Sequence, residues 1–205
     1  MSETKGRLSG PERRERIVEA AREVFTEHDY DLASMGEIAQ RAGVSRPVLY
    51  DYFPSKKALL LSLLALEMTE LAGFVAETIG ADGEPLDRLR ETIDVFLRFV
   101  QERPFGWRTL YLDSALDEEI AAAGRGLRAT AVEQIGQWLE PDADRAGLPP
   151  GIYRDLSVTM IMAALRGAVE WWQENPSHTR EEVATVALEL TWLGGDRLSR
   201  GERLT

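Results

Sequence analysis

Apolar residues recur along this chain at spacings of three and four almost throughout. Ile17, Ala20, Ala21, Val24 and Phe25 follow the i, i+3, i+4, i+7, i+8 rhythm of one helix face, and Leu60, Leu64, Met68, Leu71, Val75 and Ile79 continue it. No stretch alternates as a half-buried strand would, so the pattern predicts an all-α chain. Start signals recur near the N-terminus. Ser9 with Glu12 and Ser34 with Glu37 carry the S-x-x-E spacing of a capping box, while Ser45 and Ser55 stand as simple N-caps. Beyond Gly80 the segments lengthen, with helices predicted at 85–102, 104–114, 116–140, 152–175 and 179–193. Three prolines and two glycines within 141–151 mark a break, Gly194 and Gly195 a stop, and the polar tail 196–205 is expected to fray.

The run from Ser34 to Phe53, SMGEIAQRAGVSRPVLYDYF, organises itself as two short helices. A capped first helix turns Ile38 and Ala39 inward and ends at Ala42. Gly43 supplies a left-handed C-terminal position, Val44 plugs the gap and Ser45 opens the next helix. On that second helix Leu49 and Phe53 lie about 40° apart and define a buried side, leaving Pro47, Val48 and Asp51 outside. Tyr50 and Tyr52, separated by about 200°, flank the outer face on opposite sides. Such a helix suits a major groove, its tip against base edges and its phenols towards phosphates, although either tyrosine could instead pack on the preceding helix. Pro54 ends it. Ser55 then caps a helix that begins Lys56-Lys57, where free N–H groups and two ammonium groups could clamp phosphate or form a solvated cationic cap.

Taken in order, Ile38-Ala39, Ala42-Gly43-Val44-Ser45, Leu49-Tyr50, Tyr52-Phe53 and Ser55-Lys56 with Leu59 resemble the DNA-binding domain of the TetR (tetracycline-repressor-like) family of bacterial regulators over roughly residues 9–65. The resemblance implies an N-terminal helix-turn-helix domain of three helices, 9–58, joined to a larger helical effector-binding and dimerisation domain, 59–195. It also implies that Ser34 caps near a phosphate, that Ser45, Arg46, Pro47 and Val48 face bases, and that Tyr50, Tyr52 and Lys56 hold the DNA backbone. Family members often carry a polar or basic residue near Gly36, so the Met35-Gly36 pair departs from the pattern. Arg46 could pair with guanine O6 and N7, with Asp51 near enough to compete for it.

Charge sharpens this picture once it is divided along the chain. The net formal charge is −11, yet residues 1–60 hold 10 Lys+Arg against 10 Asp+Glu, leaving 14 against 25 in the remainder. The acidity belongs to the body, and overall charge does not exclude a nucleic-acid partner for the head. Cysteine is absent, which removes disulfides, thiolate metal sites and cysteine nucleophiles and suits a reducing cytoplasm. The N-terminus lacks the apolar core of a signal peptide, and Glu67 and Arg166 break the longest apolar runs, so no membrane association is expected and the location is predicted to be cytoplasmic.

In the body, Leu156 to Trp172 and Val183 to Leu193 are apolar on almost every face, and Ala163, Ala164, Gly167 and Ala168 permit close helix approach. A homodimer through 152–175 and 179–193 follows; the alternative is that both helices form the monomer's core. Aromatic and sulfur side chains, Phe96, Phe99, Trp107, Tyr111 and Met160 among them, are core by default and also suit an effector cavity, for which Trp107, Tyr111, Met160 and Arg166 are the candidate lining. Arg166 interrupts an apolar helix; its partner is Glu170 one turn on, an acid across the dimer, or an anionic ligand.

An enzyme finds little support. Gly124-Arg125-Gly126-Leu127-Arg128-Ala129 matches G-x-G-x-x-A, but helical sequence precedes it where a dinucleotide site needs a strand. No nucleophile elbow, zinc-protease or P-loop motif occurs, and no catalytic residue, cofactor or metal is expected. The expectation is a repressor released from a palindromic operator by a small, largely apolar effector. The alternative is a helical adaptor or small-molecule-binding protein without a DNA-binding role.

Overall fold

The computed structural model describes residues 9–28, 30–80, 82–104, 107, 118–145 and 148–199. Every regular element among them is a helix: α1 (Gly10–Glu27), α2 (Met35–Ala42), α3 (Arg46–Tyr52), α4 (Lys56–Gly80), α5 (Pro85–Glu102), α6 (Glu118–Arg145), α7 (Ile152–Glu174) and α8 (Arg180–Ser199). The chain forms two compact units, the first from Met1–Glu67 with Pro104–Gly124 and the second from Met68–Arg103 with Arg125–Thr205.

In the first unit, α1 starts from a complete capping box: the Glu12 N–H donates to Ser9 Oγ at 3.4 Å, and the Ser9 N–H donates to Glu12 Oε2 at 2.8 Å. The predicted face of α1 is buried, with Ile17, Ala21, Val24 and Phe25 wholly so. It packs against α2, which buries Ile38, Ala39 and Ala42, while Leu49 and Phe53 close α3 onto the same core. Each large side chain removed from water here stabilises the head by roughly 1.5–3 kcal/mol. Leu59, Leu60, Leu63 and Leu64 bury the start of α4, and Glu67 beyond them is 1% exposed, its Oε1 accepting from Arg22 Nε at 3.1 Å. Contrary to the expectation that Glu67 breaks the apolar run, α4 is long and apolar enough by composition to cross a membrane; Leu59, Leu60, Leu63 and Leu64 are buried within the protein instead.

In the second unit, α5 buries Ile93, Phe96, Leu97, Phe99 and Val100 and packs chiefly on α8, with lesser contact to α7. Arg180 Nε of α8 meets Asp94 Oδ1 of α5 at 3.0 Å. Two predicted stops fail. α6 continues through Pro141 to Arg145 because its last turn is held from outside: Arg88, itself nearly buried, pairs with Asp142, and Arg154 Nη2 donates to Asp144 Oδ1 at 2.5 Å. α8 continues through Gly194 and Gly195 to Ser199, a tolerable expense of about 1 kcal/mol per helical glycine. The helix predicted at 104–114 lies, apart from Pro104 and Trp107, outside the described residues.

Candidate nucleic-acid interface

The turn between α2 and α3 is built by its backbone. Gly43 sits at φ 67° and ψ 32°, where a Cβ is penalised, and this lets the Gly43 N–H reach Gln40 O at 3.1 Å and the Val44 N–H reach Ala39 O at 3.0 Å. Both bonds satisfy carbonyls left open by the end of α2. At its start Ser34 Oγ accepts from the Glu37 N–H at 3.1 Å, but the predicted capping box is only half formed. The Glu37 carboxylate accepts from Arg41 Nη2 at 2.8 Å and approaches His28 Nε2 at 3.4 Å instead.

Ser45 takes the N-cap position of α3 without a side-chain cap bond, so its hydroxyl is not spent on the helix. Arg46, Pro47, Tyr50 and Asp51 are exposed, Val48 and Tyr52 half-buried. Tyr50, at 48% exposure, projects from the head. Tyr52 leans on α1, its hydroxyl accepting from Arg13 Nη1 at 3.4 Å. Arg46 and Asp51 form no ion pair among the described residues. The result is a two-turn helix with one face fixed in a core and the other bare, which can enter a groove without unfolding anything.

The two lysines that open α4 have partners within the protein. Lys56 Nζ donates to the carbonyls of Tyr30 at 2.6 Å, Ala33 at 3.0 Å and Asp31 at 3.2 Å, and lies 4.5 Å from the Tyr30 ring centre. Lys57 pairs with Glu119. The pictured phosphate clamp is thus engaged elsewhere: Lys56 has its three donors on the loop that precedes α2.

Sequence reasoning missed Arg41. Its Nη1 donates to Glu27 Oε1 at 2.7 Å, tying α2 to α1, and that bond holds the Glu27 carboxyl below the usual carboxylate range. Glu27, His28 and Glu37 come within 4.8 Å of one another, but Arg41 already engages both carboxylates. Arg14 was missed too, its guanidinium 5.3 Å from the Phe53 ring centre. Hydrophobic periodicity gives no signal for either.

The candidate effector residues do not gather within one unit. Trp107 is buried in the first unit, whereas Met160 and Arg166 belong to the second. Met160 is 61% exposed, Arg166 lies 3.7 Å from Glu170 as in the simplest of its three alternatives, and Tyr111 lies outside the described residues. On α7, Val158, Leu165 and Val169 face inward. Ile152, Leu156, Met160, Gly167 and Trp171 form an outward stripe at helical spacing, and an open depression of about 450 Å³ lies along Ile152, Asp155, Leu156 and Thr159. Val186 and Leu190 on α8 are exposed likewise. The G-x-G-x-x-A stretch falls inside α6, and the described residues directly before it, 118–123, are helix.

Comparison with known proteins agrees with this architecture. Residues 17–63 match the family described as bacterial regulatory proteins, tetR family, and residues 85–194 match one described as a tetracyclin repressor-like C-terminal domain. The HTH-type transcriptional activator FasR of Mycolicibacterium smegmatis is 28% identical over 189 residues, 92% of this chain and 85% of FasR. The HTH-type transcriptional repressor KstR of the same species is 34% identical over 93 residues, 45% of this chain and 46% of KstR. Among solved structures, the transcriptional regulator FadR of Bacillus subtilis in complex with stearoyl-CoA superposes with a TM-score of 0.75 at 21% identity, covering 86% of this chain and 96% of FadR.

Proposed function

This chain belongs to the TetR family of helix-turn-helix transcriptional regulators, and on that premise we propose that it binds a palindromic operator as a cytoplasmic homodimer and leaves it when a small, largely apolar molecule enters the helical body. The observation that carries the DNA-binding half is α3. Its inner side is anchored by Leu49 and Phe53, while Arg46, Pro47 and Tyr50 stand bare. In this reading Ser45, Arg46, Pro47 and Val48 address base edges, and Ser34, Tyr50 and Tyr52 address the backbone around them. Lys56 supports them by fixing the loop that leads into α2.

The dimer half rests on the apolar stripe of α7 and on Val186 and Leu190 of α8, which a single chain leaves in water. The domain division proposed is 9–58 for DNA and 59–195 for effector and partner. Support for an apolar effector comes from the stearoyl-CoA in complex with the Bacillus FadR, whose acyl chain is apolar; Trp107 and Tyr111 are proposed to meet the ligand. The relatives include one named activator and one named repressor, and the repressor mode is the reading adopted here.

Selection of bound DNA from a random pool tests the whole. A two-fold symmetric site is expected, its half-sites about 34–36 Å apart or a multiple of that, because paired α3 helices must meet successive major-groove faces. Asymmetric sites, or binding without sequence preference, would refute it.

A further inference from the structure

Gly36 lies in the first turn of α2 with ordinary helical geometry: among the described residues the glycines with positive φ are Gly43, Gly83 and Gly151. Its backbone therefore does not demand glycine, and alanine would make the better helix. What the missing side chain supplies is space, and Arg46 fills it. A Cβ built on Gly36 would fall 2.7 Å from Arg46 Cζ and 2.8 Å from Arg46 Nε, well inside van der Waals contact. The guanidinium thus folds back from the first residue of α3 onto the first turn of α2, and no ion pair or hydrogen bond among the described residues holds it there.

We propose that Gly36 is a specificity-determining position that acts through Arg46, the notch it leaves opening the direction from which the guanidinium addresses DNA. The inference rests on the DNA-reading role proposed for α3. A side chain at position 36 would close this rotamer, so glycine keeps open the approach along α2 from which the planar fork can engage the O6 and N7 acceptors of a guanine. The atoms in the way are the far end of a flexible side chain, so a methyl at position 36 displaces the guanidinium and leaves the helices where they are.

The test compares wild type, Gly36→Ala, Arg46→Ala and the double variant of the full chain, by DNA selection, by binding to the selected site and by thermal melting. Gly36→Ala is expected to melt no lower than wild type and to bind the wild-type site about tenfold more weakly, the scale of one bidentate base contact. It should lose preference at the same half-site position as Arg46→Ala, and the double variant should bind no more weakly than Arg46→Ala alone. An unchanged preference in Gly36→Ala, or additive losses in the double variant, would overturn the proposal. So would a lowered melting temperature, which would assign the contact to folding. Failure of wild type itself to select any sequence would remove the underlying DNA-reading role and is seen in a separate arm.

Discussion

Three carbonyl oxygens and the face of Tyr30 surround the ammonium of Lys56. Hydrogen bonds to a charged group contribute about 1.5–3 kcal/mol, so Lys56→Ala is expected to lower the melting temperature by several degrees, with the salt dependence of DNA binding unchanged. A salt slope reduced by about one at constant stability would return Lys56 to the phosphate backbone. Tyr50→Phe should do the opposite, weakening cognate and scrambled DNA alike in a gel-shift titration while stability holds, because its exposed hydroxyl has nothing to lose in the fold. The sequence placed Lys56 beside the helix-turn-helix. It could not show the carbonyls that claim it, which lie 23 to 26 residues earlier and are backbone atoms without a residue-type signature. Glu67 is similar: its interruption of the apolar pattern was visible, but its partner Arg22 was not. Arg22→Ala should therefore destabilise the protein measurably in chemical denaturation, by about 3 kcal/mol, since it removes a charged partner from a buried carboxylate, and Glu67→Leu in the same background should recover part of that loss.

Among the elements, starts were more legible than ends. Proline and acidic residues in a first turn, and a serine or glycine just before it, are local signals, and α5 spans the predicted 85–102. The turn after α2 was legible for the same reason, since only a left-handed residue completes its two backbone bonds. Helix ends failed where distant residues intervene. Pro141 reads as a terminator, yet α6 runs on because Asp142 and Asp144 are anchored by Arg88 and Arg154, 54 and 10 residues away. Asp142→Ala is expected to destabilise the protein by about 3 kcal/mol, because Arg88 would keep only its bond to Gly83 O at 2.9 Å while remaining nearly buried. Urea denaturation measures this; a loss under about 0.5 kcal/mol would class the pair with surface ion pairs and leave the extended helix without its explanation.

For the whole molecule, the unmet surface is the guide. Leu190 is 71% exposed and belongs with Met160 and Trp171 to faces that an isolated chain leaves in water. Met160→Glu with Leu190→Arg should give a monomer by sedimentation, and operator affinity should collapse with it, because one head retains half the contacts. Effector action imposes a stricter condition, since binding at one site changes the other only through a coupling free energy that works in both directions. A molecule that weakens operator binding tenfold must itself bind the operator complex about tenfold more weakly. Trp107 is buried, so its fluorescence can report a ligand that reaches the proposed wall, titrated with and without operator DNA. Equal affinities in the two titrations would make the ligand a bystander, whatever its fit. Unequal affinities that survive Trp107→Phe would keep the regulation and move the site elsewhere in the body.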